Sequence, residues 1–274
     1  MPNLAISGKT ALYGTIAHPI AHVRAPTVLN AAFERHGIDA VMVPVHVQPD
    51  GLDAAVAGMK ALRNLGGLCV TVPHKVAIMA LCDDVGASGR RVGAVNAVRF
   101  EDGPGGVRRM IGDNFDGQGY VAGMRAGDFD FAGRDVLQLG AGGAGMAIAF
   151  AVAEAGARSL SIANRTVGKA EELAHRVHKA FPGCTTRGVA ADADPAGYDV
   201  VINTTSLGLH DGDPLPIDVA RLDPATAVSE IIMIPEETAL LKLARARGHP
   251  VHYGRPMLDE QIRLIATFIG CPLP

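Results

Sequence analysis

The chain has 274 residues, of which 48% are hydrophobic and 19% are charged, and its formal net charge is −3. This length accommodates two domains, and the balanced charge excludes the strongly basic surface of a nucleic-acid-binding protein. The sequence contains no apolar run long enough to span a bilayer, no signal-peptide pattern and no C-x-x-C pair among its four cysteines. We therefore expect a cytoplasmic protein without a metal site and without a nucleic-acid or membrane partner.

The first part of the chain alternates strand-like and helix-like segments. The predicted strands cover residues 11–16, 40–47 and 68–72. The predicted helices cover residues 25–36, 51–65 and 76–81, and Gly66-Gly67 is expected to stop the second one. Residues 93–100 and 108–111 are expected to form a hairpin. This alternation predicts an α/β domain with a mostly parallel sheet, in which ligands bind at the carboxyl ends of the strands.

Three polar residues lie near the expected binding edge of this domain. Lys75 follows the apolar residues 70–73, which should partly desolvate it and make it a usable acid or base. Asn96 interrupts an apolar run, and Asp116 lies at a turn that opens the next helix. Taken singly, each residue fits a structural role at least as well, as a surface lysine, a turn-capping amide or a helix-capping carboxylate.

The second domain is organised around a glycine turn. The strand-like residues 136–139 lead into Gly140, Gly142 and Gly145, which have the G-x-G-x-x-G spacing, and a predicted helix and strand follow at 146–157 and 160–163. In a dinucleotide site these glycines permit a sharp turn, close approach of a pyrophosphate and close helix packing. Backbone N–H groups of the first helical turn, here including Gly143 and Ala144, then face the anion. The pattern predicts a Rossmann-type, doubly wound domain, and the alternative is a tight turn that binds nothing.

The end of the second strand in this domain bears on the choice of cofactor. NAD sites usually place Asp or Glu there, whereas this chain has Asn164-Arg165-Thr166, with Lys169 close behind. An arginine and a hydroxyl suit a 2′-phosphate, so the sequence favours NADP(H). NAD(H) is the alternative, if Arg165 and Lys169 only form the solvated face of the next helix.

The remaining elements complete the alternation. Helices are predicted at 169–180, 238–247 and 257–269, and strands at 199–202 and 226–231. The polar residues 203–206 follow the first of these strands and are expected to line the nicotinamide side of the site.

Several of these motifs together resemble shikimate dehydrogenases, and the resemblance covers nearly the whole chain. On the substrate side the similar segments are 70–75 (V-T-V-P-H-K), 93–96 (G-A-V-N), 112–117 (G-D-N-F-D-G) and 254–261 (G-R-P-M-L-D-E-Q). On the cofactor side they are the glycine turn, 164–166 and 203–208. The resemblance implies that Lys75 is the catalytic lysine and that Asp116 is its partner. It also implies substrate contacts from Thr71, Asn96 and Gln261 and cofactor contacts from Thr204, Ser206 and Gly254. By its place in the last helix alone, Gln261 fits a surface position equally well.

The chain departs from the family pattern at the substrate carboxylate. The family has H-S-x-S-P near its N-terminus, and its two serines hold that carboxylate, whereas this chain has Val23 and Ala25 in their places. A buried carboxylate that loses a donor keeps a desolvation cost of about 1–3 kcal/mol. Arg24 could replace the serines, although solvent exposure is favoured for it. Phe115 and Met233 also replace a family threonine and tyrosine, so the pocket walls differ.

The resemblance implies the following organisation and activity. Residues 1–115 with a returning helix, 252–274, form the substrate domain, and residues 116–251 form the dinucleotide domain. The implied activity is an oxidoreductase of aromatic amino acid biosynthesis that transfers hydride between NADP(H) and the ring alcohol or ketone of a shikimate-like cyclic hydroxy acid. The alternatives are a dehydrogenase of quinate or another polyol acid and a non-catalytic nucleotide-binding regulatory module. We expect a monomer or a homodimer.

Overall fold

A computed structural model describes residues 6–274, and the chain divides into two compact units. Unit 1 comprises the chain up to Phe115 together with Ile262–Pro274, and unit 2 comprises Asp116–Gln261. This division differs from the predicted return at residue 252, because residues 252–261 belong to unit 2. A Cβ added to Gly119 would lie 2.6 Å from the Cβ of Gln261, so the start of the last helix packs closely within unit 2.

The sheet of unit 1 has six strands in the order β2-β1-β3-β5-β6-β4. The strands are β1 (Ala11–Ala17), β2 (Ala40–His46), β3 (Leu65–Val70), β4 (Asp84–Val85), β5 (Ala97–Asp102) and β6 (Arg108–Asp113). β1 pairs in parallel with β2 and β3, and β4 pairs in parallel with β6. β5 pairs antiparallel with β3 and β6. The predicted α/β fold and the predicted hairpin are therefore confirmed, in a sheet in which only the pairings of β5 are antiparallel.

The helices of unit 1 follow from local sequence signals. They are α1 (Ala25–His36), α2 (Leu52–Lys60) and α3 (Ala87–Val92). α1 has the predicted bounds, because Pro26 fits its first turn and Gly37, at φ 64°, ends it in the left-handed conformation. The core of the unit consists of buried aliphatic side chains from the sheet and the covering segments, including Ile16, Leu68, Ile78, Val98 and Met110.

The predicted helix at 51–65 and its glycine stop are wrong in part. α2 ends at Lys60, and Gly66-Gly67 lies inside β3. A Cβ on Gly66 would lie 2.6 Å from the ring of Tyr13, and one on Gly67 would lie 2.6 Å from the carbonyl oxygen of Val98. The two glycines therefore permit close approach within the sheet instead of ending a helix. The predicted helix at 76–81 is a short 3₁₀ turn, Ile78–Leu81.

The sheet of unit 2 has six strands in the order β12-β11-β10-β7-β8-β9. The strands are β7 (Asp135–Leu139), β8 (Ser159–Asn164), β9 (Thr185–Ala190), β10 (Val200–Asn203), β11 (Ala227–Glu230) and β12 (Val251–His252). Every pairing in this sheet is parallel. Counted within the unit, the order is 3-2-1-4-5-6 read from the other edge, which is the Rossmann order. The predicted doubly wound domain is confirmed, although β9 and β12 were not predicted.

The strand order places a binding crevice at one point of this sheet. The order reverses between β7 and β10, and ligands of such sheets bind outside the carboxyl ends of the strands at that point. The helices of the unit are α4 (Asp116–Ala126), α5 (Gly143–Glu154), α6 (Val167–Ala180), α7 (Ala239–Ala246) and the start of α8 (Arg255–Ile269). α5 begins three residues earlier than predicted, so Gly143 and Ala144 are its first two residues. None of the helices in residues 6–274 combines the length and apolar character needed to cross a bilayer.

The close approach at Gly67 gives a testable stability difference. In Gly67→Ala, the new methyl group meets the Val98 carbonyl and the Cβ of Ile269, at 2.6 and 2.7 Å before relaxation. We expect this overpacking to lower the free energy of unfolding by about 1–3 kcal/mol in urea denaturation.

The matched control for this change is Gly58→Ala. Gly58 is exposed in α2 and has no heavy atom within 4 Å of an added Cβ. This variant should gain about 0.5–1 kcal/mol, because alanine is the better helix former. An equal effect of the two substitutions would contradict the packing assigned to Gly67.

Candidate active site

The glycine turn connects β7 to α5 at the expected crevice. Gly140 has a φ of 104°, and a Cβ on it would lie 2.8 Å from the Oγ1 of Thr204. A Cβ on Gly145 would lie 2.6 Å from the same atom, whereas Gly142 and Gly143 have no heavy atom within 4 Å of that position. The turn is therefore closed against the protein at its two ends and open in the middle, where a phosphate could approach.

A buried glutamine holds this turn in place. Gln138 is fully buried in β7, and its Nε2 donates hydrogen bonds of 2.9 Å to the carbonyl oxygens of Gly140 and Gly145. The hydroxyl of Thr204 donates to the carbonyl of Leu139 at 2.7 Å. The sequence analysis missed Gln138, although a polar residue inside the apolar run 136–139 was the available signal. The N–H of Gly140 donates to the carbonyl of Ala163 at 2.7 Å, so the groups that could meet a ligand are the N–H groups of the first turn of α5, which have no acceptor within the helix.

The end of β8 lies beside the turn and carries a positive charge. The Oδ1 of Asn164 accepts a hydrogen bond from the backbone N–H of Ala141 at 3.3 Å, and its Nδ2 donates to the carbonyl of Thr166 at 2.9 Å. Asn164 therefore has a structural role in joining the turn to the start of α6. Arg165 and Lys169 are exposed there, and no carboxylate follows β8 directly. This arrangement suits a phosphorylated ribose better than a free 2′-hydroxyl.

A cavity of about 390 Å³ opens at this place. Its lining includes six of the residues predicted to bind the cofactor: Gly140, Gly142, Asn164, Arg165, Thr204 and Ser206. Its volume is in the range of sites that hold organic ligands and cofactors. The concavity, the open glycines and the nearby cation together fit the phosphate and ribose portions of a dinucleotide.

The other predicted cofactor residues lie outside the lining of this cavity. Gly143, Ala144 and Gly145 belong to the first turn of α5, and Thr166 precedes α6. Gly254 is packed against the backbone after β11, because a Cβ there would lie 2.5 Å from the carbonyl oxygen of Ile232. Binding roles for all of these residues stay predictions.

In unit 1, the predicted substrate residues lie at the carboxyl end of β3 and before β5. Thr71 directly follows β3, and its backbone N–H donates to the carbonyl of Ile16 at 3.1 Å. Lys75 is half-buried, and its carbonyl accepts from the N–H of Val95, the residue before Asn96, at 2.8 Å. The polypeptide segments of Lys75 and Asn96 are therefore hydrogen-bonded neighbours. The expectation that residues 70–73 shield Lys75 from solvent is wrong in one respect, because Val72 is 62% exposed.

Asn96 is almost fully buried, and its side chain has a structural contact. Its Oδ1 accepts a hydrogen bond from the backbone N–H of Phe115 at 2.9 Å. The turn-capping role considered for this residue is thus observed. A hydrogen bond that fixes the carbonyl oxygen of an amide also fixes the direction in which its NH₂ group points.

The positions of the missing serines lie at the start of α1. Ala25 is the first residue of this helix, and both Val23 and Ala25 are half-buried. Arg24 is exposed, as expected, and the helix has no side-chain cap. The two side chains at these positions therefore offer a ligand apolar contact but no hydrogen-bond donor.

In unit 2, Asp116 and Gln261 form a hydrogen-bonded pair. Asp116 is buried at the first position of α4, and the Nε2 of Gln261 donates to its Oδ1. A carboxylate at a helix N-terminus is stabilised by the helix dipole. Gln261 is therefore not the surface residue of the alternative interpretation, and the sequence analysis did not foresee this direct contact between them.

Comparison with known proteins is decisive about the family. Residues 15–98 match the family described as "Shikimate dehydrogenase substrate binding domain", and residues 122–207 match "Shikimate / quinate 5-dehydrogenase". The shikimate dehydrogenase (NADP(+)) of Acidiphilium cryptum (strain JF-5) is 41% identical over 94% of this chain and 90% of its own. The chain belongs to the shikimate dehydrogenase family. The resemblance inferred from the motifs is thus confirmed.

Two solved structures that resemble this chain belong to enzymes named for different substrates. Shikimate 5-dehydrogenase from Listeria monocytogenes, in complex with shikimate and NAD, matches with a TM-score of 0.90 and 29% identity over 98% of this chain and 95% of that one. Ligand-free 5-ketofructose reductase of Gluconobacter sp. strain CHM43 matches with a TM-score of 0.88 and 32% identity over 96% and 94%. The fold of the family therefore occurs in proteins named for different substrates.

The hydrogen bonds of Gln138 generate a prediction for this family member. Gln138→Leu removes the amide donor to the carbonyls of Gly140 and Gly145 and leaves Gly140 with only the 3.2 Å bond from the Thr204 hydroxyl, so we expect a loss of about 1–3 kcal/mol in the free energy of unfolding. Because the turn loses its support, we also expect a higher Kd for NADPH, measured by the fluorescence of the bound cofactor.

The control for this variant is Thr226→Val. The hydroxyl of Thr226 is also buried in unit 2 and donates to the carbonyl of Tyr198 at 2.7 Å, away from the glycine turn. This variant should lose stability but keep the Kd for NADPH. If Gln138→Leu loses stability and its Kd does not change, Gln138 does not support the binding conformation.

Proposed function

We propose that this protein is an NADP(H)-dependent dehydrogenase that acts on the ring alcohol or ketone of a shikimate-like cyclic hydroxy acid. One observation carries the proposal: the glycine turn is open at Gly142 and Gly143 at the switch point of a parallel sheet, with Arg165 after the next strand. The curated relatives named shikimate dehydrogenase (NADP(+)) support both the reaction and the cofactor.

The roles of the chain's own side chains follow from their chemistry. Lys75 is proposed to take the proton of the reacting hydroxyl in oxidation and to return it in reduction. The nicotinamide cofactor, when bound, would accept or supply the hydride that is exchanged with the C–H group of the substrate. Asp116 is proposed to accept a hydrogen bond from a substrate hydroxyl, as the family resemblance implies. The hydrogen bond from Gln261 supports this role, because it orients the Asp116 carboxylate.

The proposed cofactor is NADP(H), with NAD(H) as the alternative. The exposed Arg165, which lines the cavity, and the nearby Lys169 support binding of a 2′-phosphate, because a bidentate arginine contact to phosphate is a strong charge-assisted interaction. The related structure from Listeria monocytogenes contains NAD and another related shikimate dehydrogenase structure contains NADP+, so proteins of this fold bind either cofactor. The predicted cytoplasmic location and monomeric or homodimeric state belong to this proposal.

Val23 and Ala25 support a second candidate function, in which the substrate carries no carboxylate. Without the two serine hydroxyls, the start of α1 lacks the side-chain donors that hold a carboxylate in the family. The similarity to 5-ketofructose reductase supports a neutral polyol or keto sugar as the substrate, since 5-ketofructose has no carboxylate. Quinate or another polyol acid is the intermediate possibility, because additional hydroxyls could compensate for the weaker carboxylate contact.

The role of Lys75 is tested by Lys75→Ala. Loss of a positioned acid–base group should lower kcat by roughly 10²–10⁴-fold. The Kd for NADPH should not change, because Lys75 is not among the residues that line the cavity at the glycine turn. The wild type should reduce NADP faster than NAD with the same substrate. Unchanged turnover in Lys75→Ala refutes the acid–base role of Lys75. If the wild type binds NADPH but turns over no hydroxy acid or polyol, the alternative of a non-catalytic nucleotide-binding regulatory module is supported.

The substrate class is tested by restoring the two hydroxyls in Val23→Ser/Ala25→Ser. If the natural substrate is neutral, the double variant should gain at least about tenfold in kcat/KM on shikimate or quinate, since each recovered hydrogen bond to a charged group contributes about 1.5–3 kcal/mol. Its kcat/KM on neutral keto sugars should not rise. A wild type that is already efficient with shikimate, with no gain in the variant, contradicts the neutral-substrate candidate.

A further inference from the structure

Glu230 is a fully buried carboxyl group that the proposed chemistry does not use. It lies at the end of β11, next to the end of β10, and it has no solvent exposure. Its Oε1 accepts hydrogen bonds from the backbone N–H groups of Ile231 and Ile232 at 2.9 and 3.1 Å. Its Oε2 accepts from the Nδ2 of Asn203 at 2.9 Å and from the hydroxyl of Thr238 at 3.2 Å. Four donors on one buried group are an arrangement that suits an ionised carboxylate.

The directions of these hydrogen bonds exclude a neutral amide in the same place. The backbone N–H of Thr205 donates to the Oδ1 of Asn203 at 3.1 Å, so the Nδ2 of Asn203 must face Glu230. Each carboxylate oxygen therefore meets at least one group that can only donate. The pKa of Glu230 is raised, because the effect of burial is larger than that of its hydrogen bonds from Asn203, Ile232, Ile231 and Thr238, which lower it. A glutamine at this position would direct its NH₂ group at another donor.

The same network extends to the wall of the cofactor cavity. Asn203 is fully buried, and its Nδ2 also donates to the carbonyl of Leu207 at 2.9 Å. The hydroxyl of Thr205 donates to the Oδ1 of Asn203 at 2.7 Å and accepts from the N–H of Leu207 at 3.1 Å. Residues 204–207, which line the cavity, are thus held through Asn203 to Glu230.

A second segment implicated in cofactor binding depends on the same carboxylate. Glu230 fixes the backbone of Ile231 and Ile232, and this backbone is the surface on which Gly254 packs. A Cβ on Gly254 would lie 2.7 Å from the carbonyl oxygen of Ile231, so no side chain separates the two segments. Thr238, the fourth donor, is also the N-cap of α7. The carboxyl group of Glu230 therefore joins β10, β11 and α7 at the carboxyl edge of the sheet.

We propose that Glu230 is a positioning residue whose carboxylate holds residues 204–207 in the conformation that binds NADP(H). This inference rests on the proposed function, because it assumes that the cavity lined by these residues holds the cofactor. Glu230 acts through Asn203 and does not itself touch the cofactor. Its removal should therefore weaken cofactor binding without altering the substrate residues of unit 1.

The experiment measures the Kd for NADPH by its fluorescence in the wild type, Glu230→Gln and Ser229→Ala, together with the KM of each for the substrate. Glu230→Gln should raise the Kd by about tenfold or more, because it replaces an ionic hydrogen-bond acceptor with a donor in a buried network. The substrate KM at saturating cofactor should not change. This separation of the two constants would not result from a general loss of stability.

Ser229→Ala is the matched control. Ser229 is the preceding residue on β11 and is equally buried, and its hydroxyl accepts a hydrogen bond from Tyr120 at 2.8 Å instead of contacting residues 203–207. This variant should have a lower melting temperature and an unchanged Kd for NADPH. An equal rise in Kd in both variants overturns the inference, because any buried change in β11 would then have the same effect.

Thr238→Val keeps the inference testable if Glu230→Gln does not fold. It removes one of the four donors, is isosteric, and lies outside the cavity lining, so we expect a rise in Kd of about threefold. An unchanged Kd in a folded Glu230→Gln, or in Thr238→Val when only this variant folds, overturns the inference. An unchanged Kd in these variants overturns only the inference about Glu230, provided that the wild type binds and turns over NADP(H). A wild type that binds neither nicotinamide cofactor refutes the proposed function itself.

Discussion

The internal hydrogen bonds of the glycine turn are the constraint on which the binding half of the molecule depends. A turn that presents its N–H groups to an anion must satisfy its own carbonyl groups elsewhere, or pay the cost of burying them unpaired. Gln138 does this for Gly140 and Gly145, and Thr204 does it for Leu139. Because Thr204 follows β10, the central strand β7 and its neighbour are joined at the switch point of the sheet.

The second constraint is the close packing of small residues around α4. A Cβ on Gly117 would lie 2.1 Å from the carbonyl oxygen of Ala147 in α5, and one on Gly123 would lie 2.8 Å from the backbone nitrogen of Met257 in α8. Glycines on α4 therefore allow both helices to approach its backbone. The approach of α8 brings Gln261 to Asp116, so the orientation of the proposed catalytic carboxylate depends on residues without side chains.

The sequence predicted the long periodic elements well and the short or edge elements poorly. The bounds of α1 are those expected from Pro26 and Gly37. The strands β7 and β8 beside the glycine turn have four ends, of which one agrees with the prediction and three differ from it by one residue. β9 was missed because its residues, T-T-R-G-V-A, are mostly polar or small, and its pairing depends on β8 beside it. Gly188 in that strand allows α6 to approach, which is a tertiary reason for a residue that locally disfavours strands.

By itself, the sequence determined the fold class, the position of the glycine turn and the family, because these depend on local periodicity and on motifs of fixed spacing. Only the tertiary structure decided which polar residues meet. Asn203 and Glu230 are 27 residues apart, and Asp116 and Gln261 are 145 residues apart, so no local pattern could pair them. Burial then selects the partners, since a polar group removed from water must find a donor or acceptor wherever the fold places one.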